Sequence, residues 1–592
     1  MRLTLHPALL ASASILIVGA PFGVSRAQTA DAATGARAAA SMRQPDWDAV
    51  RDEVVRHLRR LIQLNTVNPP GNEITVARYL DSTLRTAGIE THLFEPSPGR
   101  AAFVARLKGN GAKQPVLLMA HMDVVGVERD QWTVDPFAAV EKDGYVYGRG
   151  AIDDKGMLAA NLVTLLLLNR HVLDGGGSLQ RDVVLVANSD EEAGGDWGMG
   201  WLIANKPDLI RAEFALNEGG RTRVVNGRPL YLAVQNTEKV SHNVRLIASG
   251  PGGHASVPLS GNAISRLARA LAKIAAHEEP VRINPTTRLF FSQLSDVWPN
   301  AAERRAMADV ASRDERRIMR GARVLSAIPI YDAVLRNGIS ATLIDGGIRS
   351  NVIPTEATAS LNVRTLPGQS IDSVVTRLRR VVGDTHVKFE VDRDTIDAPA
   401  SSFRSPMFGA IADAVRSVDS SIAVVPYMST GATDSARLRA WGVQTYGVLP
   451  FPLAQEDEER MHGNDERVPI ESLLFGTKVI YFATLNVAGH TALQAVRDHG
   501  QVKAGQRVLI YGAGGGVGTF AVQIAKALGA QVTAVTGPRN VDLVTSLGAD
   551  VVIDHSREDL TRRPERYDAI IDIAATRSIG ELRRVLRPDG IF

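Results

Sequence analysis

Residues 116–156 constrain the fold of this chain more than any other stretch: VLLMAHMDVVGVERDQWTVDPFAAVEKDGYVYGRGAIDDKG. The apolar run VLLMA reads as a buried strand, and it leads directly into His121-Met122-Asp123. Side chains alternate along a strand, so His121 and Asp123 are expected on one side. There Asp123 can hold one ring nitrogen and leave the other to a metal ion. A glycine-bracketed turn follows at 148–156 and carries the acidic pair Asp153-Asp154. An imidazole with its orienting carboxylate, then acids on a tight turn, is the donor set that a metal site on strand ends requires. Alone, His-x-Asp describes a surface histidine beside a charged loop equally well. The rest of the chain decides between the two.

At 592 residues the chain exceeds a single core, and at least three domains are expected. The first 27 residues read as a secretory signal. Arg2 is the positive start, 8–20 the apolar core, and Ser25-Arg26-Ala27 the small-residue cleavage site. The apolar run is too short to span a bilayer, so the mature protein is expected to be periplasmic or secreted with no integral membrane segment. Removing 1–27 takes two arginines and no acid, which brings the formal charge from +3 to +1. That balance gives no reason to invoke nucleic acid or an anionic membrane. The absence of cysteine excludes disulfides, thiol nucleophiles and thiolate-bound zinc.

Residues 28–43 read as a loose spacer. From residue 44, amphipathic helices and short strands alternate. Polar clusters stand where strands end: His121-Met122-Asp123, then Asp190-Glu191-Glu192-Ala193-Gly194-Gly195, then Glu218-Gly219-Gly220. That order predicts an α/β sheet with its site at the strand ends. Near Lys239 the pattern becomes β-α-β-β-α-β, with a polar helical insert over 283–337. It predicts an inserted ferredoxin-like unit at 239–394. The first domain, 44–238, resumes at 395–487 and supplies GATDS and MHGNDERV before a long closing helix.

His121, Asp153, Glu192, Glu218 and His462 make up the donor set. Two imidazoles and three carboxylates suit a pair of zinc-like ions, with cobalt or manganese as alternatives. Asp153, on its tight turn, is the natural bridge. Glu191 adjoins a ligand without being needed as one. It is therefore the expected general base, taking a proton from the attacking water and passing it to a leaving amine.

These motifs resemble a known family. HMDVV, GRGAIDDKG, SDEEAGG, NEGG, GPGGHASVP, NVIP, GATDS and MHGNDERV occur in one order over about 44–487. They are similar to the dizinc family of carboxypeptidase S, aminoacylase-1, bacterial glutamate carboxypeptidase and succinyl-diaminopimelate desuccinylase. The resemblance implies that Asp123 orients His121 and that the Asp153-Asp154 peptide is cis. It also implies that 239–394 is a lid and dimerisation domain, whose His254 stabilises the oxyanion, commonly in the partner's site. Asn351 and Arg364 match positions that bind substrate. Arg364 is a candidate for gripping a free carboxylate, although it also reads as a solvated strand arginine.

Near residue 488 the text changes without a linker. Residues 488–592 resemble the cofactor domain of medium-chain quinone or enoyl reductases. The strand RVLIYGA meets a glycine turn, Gly512-x-x-Gly515-x-x-Gly518, which would set a pyrophosphate at a helix N-terminus. Arg539 stands after the second strand, where an acid would bind the NAD ribose, and points to NADP. The reductase family's catalytic barrel is missing, and the sequence stops within an expected strand. A secreted protein also meets little NADPH. The segment thus reads as an incomplete Rossmann appendage, left by a fusion or an assembly error.

The function expected from the sequence is a secreted, homodimeric dizinc metallohydrolase, cleaving a peptide or N-acyl amide bond next to a free carboxylate. The alternative within the class is an N-acyl-amino-acid amidohydrolase. From another class comes an NADPH-dependent quinone-type oxidoreductase acting through the C-terminal unit. A non-catalytic binding protein would require the loss of a ligand, and none is lost.

Overall fold

The computed structural model describes residues 45–170, 179–493, 496–497, 500–514, 516–574 and 577–592. The expectations for 1–27, 28–43 and Gly515 lie outside the described residues. No helix among the described residues is long and apolar enough to cross a membrane.

The first unit is built on a ten-stranded mixed sheet. At its centre Val183–Asn188, Val116–His121, Phe214–Asn217 and Gln444–Gly447 run parallel. The first three have every residue buried, which explains their apolar runs: a strand covered on both faces has no polar side to show. Helix Lys155–Leu168 starts directly after the acidic turn and is buried along its whole length. Apart from Lys155, Asn161 and Thr164 it is apolar on every face, as suits a helix enclosed by protein. Helix Trp47–Gln63 buries only one stripe, including Val54, Leu58 and Leu61, against it. Asp46 caps that helix by accepting from the Asp48 and Ala49 amides. Because the central strands are parallel, their carboxyl ends share one edge. That edge carries His121, the turn after Asn188 and the turn after Asn217.

A second, four-stranded antiparallel sheet has the order Gly338–Gly346, Glu356–Thr365, Val240–Ser249, Val387–Val391. Helices Ala263–Ala275 and Ile371–Val382 cover one face, burying Leu267, Ile274, Val374 and Leu378 against Val244, Leu246 and Leu361. Chain order and strand order together are those of a ferredoxin-like fold. Gly338–Gly346 is an edge strand. Leu343 and Ile344 on it are 70% and 69% exposed.

The helices of 283–337 differ from the sequence reading, which grouped them with this sheet. Pro285–Val297, Ala301–Val310, Glu315–Leu325 and Pro329–Leu335 bury Phe290, Phe291, Leu294, Met307 and Leu325 in one cluster. The cluster is completed by Tyr231, Val425, Tyr427 and Met428, from strands of the ten-stranded sheet. Helical periodicity shows that a face is apolar and says nothing about which core receives it.

Helix Ile470–Leu493 passes from the first unit into the C-terminal one without a linker, and Gly516–Ala527 packs against it. The C-terminal sheet is five-stranded and parallel, in the order Val551–Asp554, Gln531–Thr536, Arg507–Tyr511, Tyr567–Asp572, Leu586–Ile591.

Candidate metal centre

Asp153 is the point on which the other groups converge. Its Oδ1 lies 2.9 Å from His121 Nε2 and its Oδ2 lies 3.1 Å from His462 Nε2. One carboxylate thus faces two imidazoles, one with each oxygen. Glu192 Oε1 lies 3.2 Å from His462 Nε2. Donor atoms of His121, Asp153 and Glu192 all fall within 4.8 Å of one another. Glu191 and Glu218 line the same cavity of about 900 Å³, together with Asp153, Glu192 and His462. Glu218 stands outside the tight group and directly after the Phe214–Asn217 strand.

Local structure explains these positions. His121 is the last residue of its strand, 2% exposed, and its backbone N–H donates to Asp154 Oδ2 at 3.3 Å. The His121 ring is held at Nδ1 by the carbonyl of Asp123 at 3.0 Å, with the Asp123 carboxylate farther away at 3.5 Å. The strand ends at His121, so alternation does not extend to Asp123, and the expected carboxylate contact is the longer of the two. The Asp123 carboxylate instead accepts from the Glu191 and Glu192 amides, each at 3.2 Å, and from Asn68 Nδ2 at 2.9 Å. It therefore positions the turn that presents Glu191 and Glu192. Asp190 opens that turn with a positive φ of 72°, and its Oδ1 accepts from Arg100 Nη2 at 2.8 Å. The Asp153-Asp154 peptide is cis. His462 sits in a tight turn at φ 60° with its side chain half exposed.

The electrostatics of the cluster call for positive charge. Burial, then Asp434, Asp153 and Glu192, hold the Glu191 carboxyl well above the usual carboxylate range. Glu218 is raised likewise, by burial and then by Glu191, Asp153 and Asp154. Burial disfavours a charged His121, yet its bonds to Asp123 and Asp153 outweigh this and hold its pKa well above the imidazole value. Hydrogen bonds to Asp153 and Glu192 push His462 up to about 10. Carboxylates crowded with two imidazoles, two of them within 3.2 Å of the His462 ring nitrogen, make a donor set that fits divalent cations.

The remaining expected site residues divide in two. Arg364 lines the cavity from strand Glu356–Thr365, alongside Ser241 and Asn362. Its Nε donates to Asn362 Oδ1 at 2.8 Å, and its Nη1 is buried without a partner. His254 and Asn351 do not line the cavity in this chain. Both are exposed: His254 lies on the short Gly253–His254 strand, bonded through Nδ1 to Ser256 Oγ at 2.7 Å. Asn351 offers its carbonyl to the Ala255 amide at 3.0 Å.

In the C-terminal unit, Gly512 turns at φ 88° just after Arg507–Tyr511. A Cβ on Gly518 would collide with the Gly512 carbonyl, so that turn tolerates no side chain there. Arg539 is exposed in the turn after Gln531–Thr536.

Sequence reading missed Arg149 and Glu466, both buried beside the acidic turn. Each lies inside a quoted motif, GRGAIDDKG and MHGNDERV, and reads there as an ordinary charged residue.

Comparison with known proteins agrees with this layout. Residues 117–486 match the family model described as peptidase family M20/M25/M40. Residues 516–592 match the one described as zinc-binding dehydrogenase. The chain is 29% identical to the probable carboxypeptidase S-like 2 of Dictyostelium discoideum, over 61% of this chain and 69% of that protein. It is 27% identical to the N-fatty-acyl-amino acid synthase/hydrolase PM20D1 of Homo sapiens, over 62% of this chain and 73% of that one. Among solved structures it shares the fold of an M20 family metallo-carboxypeptidase from Sulfolobus solfataricus, with a TM-score of 0.55 and 19% identity. That likeness covers 74% of this chain and 99% of the other.

Proposed function

The chain belongs to peptidase family M20/M25/M40, and from that premise we propose that it is an exported dinuclear-metal amidohydrolase that cleaves a peptide or N-acyl amide bond next to a free carboxylate. The observation that carries this reading is the Asp153 carboxylate, with one oxygen toward each of two imidazoles. His121 and Glu218 would hold one ion, His462 and Glu192 the other, and Asp153 would be shared. Two divalent ions, when bound, supply Lewis-acid polarisation of the scissile carbonyl and ease the deprotonation of water.

The chain's own residues account for the rest of the reaction. Glu191, on the turn fixed by Asp123, takes a proton from the water whose oxygen attacks the carbonyl carbon. The same proton then goes to the amine nitrogen as the C–N bond breaks. Arg364, with an unsatisfied Nη1 at the cavity wall, receives the substrate carboxylate. His254 lies outside the cavity of its own chain, which supports its serving the site of a second copy. The exposed apolar edge strand Gly338–Gly346 supports such a homodimer through the four-stranded sheet, which then acts as lid. The secretory signal read over 1–27 supports export.

A second reading, hydrolysis of N-acyl amino acids, is favoured by the resemblance to the human N-fatty-acyl-amino acid synthase/hydrolase. Both readings require a free carboxylate and the same chemistry. The test is turnover of dipeptides and of N-acyl amino acids by the full chain, with zinc, cobalt or manganese added after chelation. We expect metal-restored hydrolysis of substrates with a free carboxylate and none of their amides. Equal turnover of the amides would remove Arg364 from its role, and metal-independent turnover would remove the mechanism.

A further inference from the structure

Glu466 is 0% exposed, and its four hydrogen bonds tie it to the turn that carries Asp153. Oε1 accepts from the amides of Ile152 at 2.8 Å and Asp153 at 3.1 Å. Oε2 accepts from the amide of Gly150 at 3.0 Å and from Arg149 Nη1 at 2.7 Å. Each oxygen has two donors, so the carboxylate is saturated and has no lone pair to offer a metal. The other arm of Arg149 donates to the carbonyls of Gly463 at 2.8 Å and His462 at 3.3 Å. The Arg149 guanidinium lies over the Trp132 ring, 5.2 Å from its centre, and is 2% exposed. One buried ion pair therefore holds the turn that bears Asp153 with its carboxylate and the turn that bears His462 with its guanidinium.

We propose that Glu466 and Arg149 are positioning residues that set the two halves of the metal centre against each other, so that both oxygens of Asp153 face imidazoles at once. The proposal rests on the two-ion reading of the site. It requires a carboxylate at 466. An amide in its place would turn an NH₂ group toward two N–H donors, leaving them unsatisfied and the turn free to shift. It also requires a forked cation at 149, because a single ammonium cannot reach Glu466 and the His462 turn together.

The test is calorimetric titration of the chelated full chain with zinc chloride, with visible spectra of the cobalt chloride form recorded in parallel. Wild type is expected to take two equivalents; a stoichiometry below two would undo the two-ion reading itself. Given two, Glu466→Gln should bind at least one ion about 10–100-fold more weakly, the usual effect of losing a group that orients a ligand. Its cobalt spectrum should change at a temperature where circular dichroism shows the chain folded, and the metal-free chain should melt lower than wild type, since Arg149 loses its buried counter-charge. Arg149→Lys provides the second arm should Glu466→Gln fail to fold. It should keep one equivalent at wild-type affinity and weaken the other, because only the His462 turn is released. Wild-type affinities and an unchanged cobalt spectrum in either folded variant would overturn the proposal.

Discussion

At the scale of single residues, the candidate site is a problem of placing like charges together. Asp153, Glu191, Glu192 and Glu218 share one cavity, and burial makes their mutual repulsion costly without cations. Glu191 is the member assigned to chemistry, not to binding. Glu191→Ala should retain both metals, by elemental analysis, and lower kcat by about 10²–10⁴-fold. A variant that loses metal together with activity would make Glu191 a ligand. His121, Asp153, Glu192 and His462, which the structure brings together, could be picked out in the sequence because donor side chains stand out by type and motif. Glu466 was not. Its role is to accept backbone N–H groups, which every residue supplies, so no side-chain pattern marks it. The Asp123 carboxylate reaches His121 only at 3.5 Å, behind its own carbonyl, for a related reason: alternation holds only within a strand, and this one stops at His121.

At the scale of elements, apolar runs such as VLLMA and VVLVA were readable as buried strands because length and composition leave little else. The helices of 283–337 were readable as helices but not by their destination, since an amphipathic face fits either core. Edge strand Gly338–Gly346 carries the element-scale prediction. An unpaired edge with Leu343 and Ile344 exposed is a template for pairing with a second copy. Leu343→Lys with Ile344→Lys should leave the far-ultraviolet circular dichroism unchanged and convert dimers to monomers in sedimentation velocity. A wild-type chain that sediments as a monomer, or a double variant that stays dimeric, would move the interface elsewhere.

At the scale of the whole molecule, the proposed function requires a second copy of the hydrolase unit and makes no use of the C-terminal unit. His254→Ala and Glu191→Ala chains should each be inactive alone. Mixed under conditions of proven subunit exchange they should regain part of the wild-type rate, because one site of the heterodimer keeps both residues. No recovery would mean that each chain acts by itself. A chain ending at Leu493 should hydrolyse at the rate of the full chain, and the full chain should not oxidise NADPH in the presence of quinones. The shorter chain exposes the surface of helix Ile470–Leu493 that Gly516–Ala527 covers, so it is expected to be less soluble. In the proposed function Asp153 is shared by two ions, and anomalous diffraction from crystals grown with zinc tests that sharing. The predicted result is two peaks about 3.5–4 Å apart, one beside His121 and Glu218 and one beside His462 and Glu192, with the Asp153 carboxylate between them. A single peak, or two that do not flank Asp153, would contradict it.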